Sequence, residues 1–127
     1  MKLIAWVLSA TAALIFVGYQ TAPKADDRAN CDVFAGTPGV NQANRIIYGQ
    51  GSRGPACTSG VQIRVRLRKD ISFWFDTTLV DLRRSGTNFD VNVQYHCTGN
   101  GSERIYIQVD APNRQVESQR VSVNYCS

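Results

Sequence analysis

The strict alternation of aliphatic and polar residues from Val61 to Arg68 is the feature that most constrains the fold. Successive side chains of a β-strand point to opposite faces, so this pattern predicts a strand with one buried and one polar face. Residues 88–97, 105–109 and 121–125 repeat the alternation, and no window after residue 25 has the 3.6-residue period of an amphipathic helix. The sequence therefore predicts an all-β antiparallel sandwich, immunoglobulin-like in architecture, as a single domain over residues 26–127.

Turn-forming residues divide the rest of the chain. Residues 26–60 are rich in Gly, Pro and Asn, and predict long loops around one short strand at residues 45–48. The apolar stretch at residues 71–82 predicts a further strand. Asn100-Gly101 lies between two alternating runs and predicts a β-hairpin with a type I′ turn.

The N-terminal 25 residues have the order of a secretory signal peptide, because Lys2 precedes an uncharged apolar run at residues 3–17 and small residues follow. We expect cleavage after Ala25. The alternative is an uncleaved membrane anchor, for which the run is short. Cleavage removes Lys2 and Lys24 from the 14 basic residues and leaves 12 against 10 acidic ones. The resulting net charge of +2 indicates a mildly basic protein, and nucleic-acid binding is not expected.

Four cysteines lie beyond this leader, and an even number in a small exported chain predicts two disulfides. Of the three possible pairings we favour Cys31–Cys57 and Cys97–Cys126, because each closes a local loop and the second joins the ends of two predicted strands. Each bridge would restrict the unfolded chain by about 3–4 kcal/mol in an entropic account. The absence of a Cys-x-x-Cys motif disfavours a redox role, and the wide cysteine spacing with a single His disfavours zinc. We expect no metal and no cofactor.

Two segments resemble parts of a class of small exported bacterial β-proteins held by two disulfides, most of which have no assigned activity. The segments are VQIRVRLRKDISFWFDTTLV at residues 61–80 and VNVQYHCTGNGSERIYIQVDA at residues 91–111. The resemblance includes no catalytic motif, so it implies export and a disulfide-bonded β fold rather than an activity.

A row of basic residues on the strand at residues 61–68 is the first candidate binding surface. It consists of Arg64, Arg66, Arg68 and Lys69, with Arg83 and Arg84 as a further extension. Guanidinium groups about 7 Å apart along a strand can bind the phosphates or carboxylates of an anionic polymer, so we expect the three arginines to be exposed together. The alternative is that these charges only hydrate an outward face and discourage pairing at a sheet edge.

Trp74 is the second candidate, in an aromatic triplet at residues 73–75. Alternation within the predicted strand places Phe73 and Phe75 on the buried face and Trp74 on the opposite face. An exposed tryptophan can stack on a sugar or anchor a protein partner. The alternative is ordinary packing between the two sheets.

Enzymatic chemistry has less support, and we predict no catalytic residue. His96 is the only histidine, and Glu103 and Arg104 follow the predicted turn, which gives the residue types that small secreted ribonucleases use. A surface cross-strand pair of His96 and Glu103 explains the same residues without catalysis. The aspartates are too scattered to predict a glycosidase pair. Residues 100–102 have the form of a glycosylation acceptor, but Asn-Gly also has a structural reason in a turn.

Together these patterns favour a secreted, non-enzymatic binding protein with no membrane span after cleavage. Its expected partner is an anionic component of the cell envelope or an extracellular protein. Two alternatives stay open, a ribonuclease-like hydrolase centred on His96 and Glu103, and a secreted inhibitor or effector that uses a loop at residues 36–56.

Overall fold

The structure is a computed structural model that describes residues 30–126, so the predicted leader at residues 1–25 lies outside it. Nine β-strands follow one another within the described residues: β1 (Cys31–Ala35), β2 (Gly39–Asn41), β3 (Ile46–Pro55), β4 (Val61–Asp70), β5 (Thr77–Gly86), β6 (Phe89–His96), β7 (Glu103–Ala111), β8 (Arg114–Glu117) and β9 (Val121–Val123). They form two antiparallel sheets packed face to face. The predicted all-β antiparallel sandwich is confirmed.

The central strands of the two sheets are β4 and β3. In the five-stranded sheet, β4 pairs with β5 on one side and β7 on the other, and β7 carries β8 and β9 along its far edge. In the four-stranded sheet, β3 pairs with β6 on one side and with both β1 and β2 on the other. An ion pair between Asp32 of β1 and Arg114 of β8, at 3.1 Å, joins the sheets along one side.

The core lies where the aliphatic faces of the strands meet. β4 contributes the residues whose alternation predicted the fold, and β7 adds a second set on the same face of its sheet. The fully buried aliphatic side chains of these two strands are Ile63, Val65, Leu67, Ile105, Ile107 and Val109. The predicted strand at residues 88–97 is confirmed as β6, which buries Val91 and Val93 against them.

Both disulfides form as predicted. Cys31–Cys57 connects the start of β1 to the chain just after β3, with the Cα atoms 4.7 Å apart. Cys97–Cys126 connects the chain after β6 to the chain after β9, with the Cα atoms 4.8 Å apart. Because β6 and β9 belong to different sheets, the second bridge joins the two layers of the sandwich at one end.

The prediction of loops around a short strand at residues 45–48 is wrong. β3 continues to Pro55, and β1 and β2 lie beside it. Two glycines of β3, Gly49 and Gly51, are instead places where the sheets approach closely. A Cβ atom on Gly51 would lie 2.7 Å from a methyl group of Val65 and 2.8 Å from one of Val109, so only glycine fits between the layers.

The predicted hairpin at Asn100-Gly101 is also wrong. β6 pairs with β3, whereas β7 pairs with β4, so this segment crosses from one sheet to the other. Neither residue has the positive φ that a type I′ turn requires. Each of the two strands completes a different sheet, and the hydrogen bond from the Cys126 N–H to the Gly101 carbonyl (3.1 Å) holds the crossing.

We predict that Gly51→Ala lowers the free energy of unfolding by about 1–3 kcal/mol, because the stiff valine side chains opposite it leave no room for a methyl group. Gly39→Ala is the matched control, since a Cβ there meets nothing within 4 Å. Denaturant unfolding of both variants measures the difference. Equal stability of the two variants would contradict the close approach of the sheets at β3.

Candidate functional site

The turn between β4 and β5, at residues 71–76, projects three consecutive aromatic side chains into solvent. We call residues 73–75 the aromatic tip. Relative to a fully accessible side chain, Phe73 is 104% exposed, Trp74 75% and Phe75 81%. The strand predicted at residues 71–82 therefore begins only at Thr77, and the burial predicted for Phe73 and Phe75 is wrong. Trp74 is exposed, which agrees with its placement on the outer face and not with the alternative of packing between the sheets.

The tip has a defined conformation. The Trp74 N–H donates to the Ile71 carbonyl (3.4 Å), and the rings of Trp74 and Phe75 meet edge to face with their centroids 5.8 Å apart. Phe73 has a φ of 60°, in the left-handed region that bulky residues rarely adopt. Such a conformation costs about 1–3 kcal/mol and persists where the surrounding structure holds it.

Asp76 holds the turn onto the outer face of the five-stranded sheet. Its carboxylate accepts hydrogen bonds from the Ile71 N–H (3.1 Å) and from the hydroxyl of Tyr106 in β7. Its backbone carbonyl accepts a hydrogen bond from Arg68 (3.0 Å). The guanidinium carbon of Arg120 lies 3.9 Å from the centroid of the Tyr106 ring, so Tyr106 is covered and only 1% exposed. We call Arg68, Asp76, Tyr106 and Arg120 the anchor.

The pKa values of the anchor reflect this arrangement. Burial raises the pKa of the Asp76 carboxyl, but the hydrogen bonds from Tyr106 and Ile71 and the charges of Arg68 and Arg120 outweigh that effect, so the pKa is lowered from its ordinary value of 3.8. Burial, followed by the hydrogen bond to Asp76, raises the pKa of Tyr106 to about 12. At neutral pH the carboxylate is therefore ionised and the phenol keeps its proton.

The three arginines of β4 share one face, as predicted, but each has a partner there. Arg64 forms an ion pair with Asp81, and Arg66 forms one with Asp110, each at 2.6 Å. Arg68 donates a hydrogen bond to the Gln108 side chain (2.9 Å). The Arg64 side chain is 35% exposed and that of Arg66 only 14%. The expectation that they are exposed together is wrong. A role in binding an anionic polymer stays a prediction.

The two acidic partners, Asp81 and Asp110, both have lowered pKa values. The hydrogen bond from Arg64 lowers the pKa of Asp81. Burial raises the pKa of Asp110, but hydrogen bonds from Gln108, Gln115 and Arg66 outweigh it and lower the pKa. The charges on this face of the sheet are therefore largely balanced within the protein.

Lys69 does not belong to this row. It lies opposite Ile105 in the register of β4 and β7, two positions after Leu67, and so it has the phase of the core residues. Arg83 and Arg84, which the sequence offered as an extension, are exposed on β5.

The predicted cross-strand pair of His96 and Glu103 is wrong. His96 lies opposite Ile46 in the four-stranded sheet, and Glu103 lies opposite Val123 in the five-stranded sheet.

Residues 36–56, which an inhibitor was expected to present as a loop, consist mainly of β2 and β3. Within residues 30–126, no group of three or more His, Cys, Asp or Glu side chains is placed to hold a metal ion. No helix in that part of the chain has the length and hydropathy to cross a membrane.

A cavity of about 420 Å³ opens at the root of the tip, between the start of the turn and the start of β7. Its lining combines carboxylates, one guanidinium and three serine hydroxyls: Asp70, Ile71, Ser72, Ser102, Glu103, Arg104 and Ser122. Asp70 and Arg104 are opposite one another in the β4–β7 register, and their charged groups are 3.8 Å apart. Asp70 also accepts a hydrogen bond from Arg120 (3.0 Å), which links the cavity to the anchor.

Sequence reasoning missed the anchor. The available signal was Tyr106, a large side chain in the polar phase of the alternating run at residues 105–109. A tyrosine there is 1% exposed because Arg120 and the turn cover it, and both of these come from other parts of the chain.

No protein-family model, curated protein or solved structure matches this chain. The fold and the site together define a two-disulfide β-sandwich with an anchored aromatic tip.

We predict that Tyr106→Phe lowers the free energy of unfolding by about 1.5–3 kcal/mol at pH 7, because it removes a hydrogen bond to an ionised carboxylate and keeps the ring under Arg120. A carboxyl group with a lowered pKa stabilises the fold at pH values above 3.8, its ordinary pKa. This contribution is lost as the pH falls through the pKa of the folded state. The difference between the variant and the wild type should therefore shrink below that pH.

Tyr48→Phe is the matched control, since Tyr48 is 41% exposed on the other sheet. We expect its effect to stay within about 0.5 kcal/mol at every pH. Urea unfolding at pH 7 and below pH 3.8 measures both variants. A Tyr106→Phe difference that is absent, or that does not change with pH, would show that the bond to Asp76 does not hold the turn.

Proposed function

We propose that this chain is an exported, non-enzymatic binding protein that contacts a component of the cell envelope through the aromatic tip. The observation that carries the proposal is the near-complete exposure of Phe73, Trp74 and Phe75 on a turn that is hydrogen-bonded to its own sheet. Folded proteins rarely leave contiguous large apolar side chains in water unless these form a contact surface.

The anchor supports this function because it fixes the tip before any partner arrives. Ordering a flexible loop on binding costs free energy for every side chain that is immobilised. Here Asp76, Tyr106 and Arg68 already hold the turn. Burial of the aromatic rings can therefore stabilise a complex while little free energy is spent on ordering the turn.

The arginine row supports an anionic partner less strongly than the sequence suggested. Arg64 and Arg66 are neutralised by Asp81 and Asp110, and exchanging those partners for an external phosphate gains little. Arg83, which lies opposite Arg64 in the register of β4 and β5, is the exposed cation of β5 through which this face would meet an anionic polymer. We therefore assign the contact to the tip and regard the arginines of β4 as internal partners.

Two independent features support the proposed location outside the cytoplasm. Two disulfides indicate an oxidising, extracellular-type environment. The order of residues 1–25 supports export by a cleaved signal peptide, and the resemblance of residues 61–80 and 91–111 to small exported bacterial β-proteins agrees with it.

The proposal predicts that replacing all three tip aromatics with serine abolishes binding to isolated cell envelopes, because it removes the apolar contact and leaves the core unchanged. Co-sedimentation with envelopes measures the bound fraction. The matched control is Phe34→Ser with Tyr48→Ser, which removes two exposed aromatics from the opposite sheet (49% and 41% exposed). Equal sedimentation of the tip variant and the wild type, with both folded, would overturn the proposal.

Export has its own check. The protein recovered outside the cytoplasm should begin near Asp26 and weigh four protons less than its fully reduced form, because both disulfides are closed. Intact mass spectrometry before and after reduction measures both quantities. A Met1 start would favour the membrane-anchor alternative.

A further inference from the structure

We propose that the aromatic tip inserts into the boundary between headgroups and acyl chains of a zwitterionic phospholipid bilayer. This inference rests on the function proposed above and names the envelope component that the tip contacts. Its basis is the shape of the tip, the sequence of apolar and charged groups along the turn, and the charges at its root.

The shape of the tip suits a bilayer better than a protein surface. The three rings stand at the end of the hairpin formed by β4 and β5, and Phe73 is 104% exposed. The surface is therefore a protrusion rather than a face or a groove. A buried aromatic side chain contributes about 150–250 Å², which gives about 450–750 Å² for three. A standard protein interface takes about 800 Å² from each partner. Entry into a bilayer needs no complementary surface around the protrusion.

The chemistry of the turn limits how deep it enters. Tryptophan favours the membrane interface, where most of its ring is in an apolar environment and its N–H is close to water, and phenylalanine occurs on the apolar face of interfacial segments. Asp70 and Asp76 border the turn on its two sides, and Asp76 is ionised at neutral pH. Carboxylates are costly in the hydrocarbon core. The rings therefore reach about 5–10 Å into the boundary and no further.

The charges at the root of the tip match a zwitterionic headgroup. The cavity there presents the Arg104 guanidinium, 59% exposed, together with the carboxylates of Asp70 and Glu103. A phosphate can accept hydrogen bonds from the guanidinium and the serine hydroxyls, and an ammonium group can pair with Glu103, since Asp70 is already paired with Arg104 and Arg120. Because both signs are present, this end of the protein offers no net positive surface, and an anionic lipid gives no advantage.

The test uses the exported protein and vesicles of phosphatidylcholine and phosphatidylethanolamine without anionic lipid. We expect binding that shifts the Trp74 emission to shorter wavelength and changes little between low and high salt, since few counterions are released. The Trp74→Phe variant assigns the spectral change to this residue, because Trp6 is the only other tryptophan in the chain.

The tip variant with three serines should lower the vesicle partition coefficient by about 1,000-fold or more, since each of the three buried aromatic rings is worth about tenfold or more. Phe34→Ser with Tyr48→Ser is again the matched control and should partition like the wild type. All variants have the same N-terminus, so any contribution from that region cancels in the comparison.

Three results would overturn the inference. Binding that requires anionic lipid, is lost at high salt and is unchanged in the tip variant would assign the contact to exposed cations. A protein that ignores vesicles but still needs its tip to bind envelopes, with protease treatment of the envelopes removing that binding, would have a protein partner. In that case the proposed function stands and the bilayer inference fails. A tip variant that equals the wild type on both envelopes and vesicles would overturn both.

Discussion

The hydrogen bond between the Tyr106 hydroxyl and the Asp76 carboxylate connects the interior of the sheet to the most exposed apolar side chains of the described surface. Tyr106 lies on β7, whose neighbouring residues Ile105 and Ile107 are fully buried between the sheets. The position of its hydroxyl is therefore determined by the core. Asp76 transmits that position to the turn, and the exposed rings follow from it.

The charged residues of the outer face have the same internal role. A strand with arginines at every second position would repel itself if those charges were left without partners. The neighbouring strands supply Asp81 from β5 and Asp110 from β7, each at 2.6 Å from its arginine. This arrangement balances the face and leaves Arg68 free to hold the turn through the Asp76 carbonyl. A pattern that resembles a binding surface in the sequence thus becomes a support for a neighbouring site.

Local patterns were sufficient for the fold but not for the site. Strict alternation predicted β4, and the same reasoning predicted β6 and β7, because one buried face leaves a period of two in the sequence. The cysteine pairing followed from short loops. The glycine-rich segment around Gly51 predicts loops rather than a strand, because a glycine required by close contact between sheets looks the same in a sequence as a glycine in a turn.

The aromatic triplet at residues 73–75 predicts a strand but lies in a turn, for a related reason. Phe73 and Phe75 have strand propensity, and nothing local shows that Asp76 accepts a hydrogen bond from a tyrosine 30 residues later. The partners of Arg66 and Arg68 also come from β7, about 40 residues away. Such contacts depend on strand register, which one sequence does not reveal.

The central claim is that the anchor holds the aromatic tip in one conformation while it is exposed to water. Backbone ¹⁵N relaxation of residues 72–75 tests it directly, because it reports motion in the free protein without any partner. The account predicts order parameters of about 0.85, equal to those of β4 and β5. Values below about 0.6 at these residues, with rigid strands on either side, would contradict it.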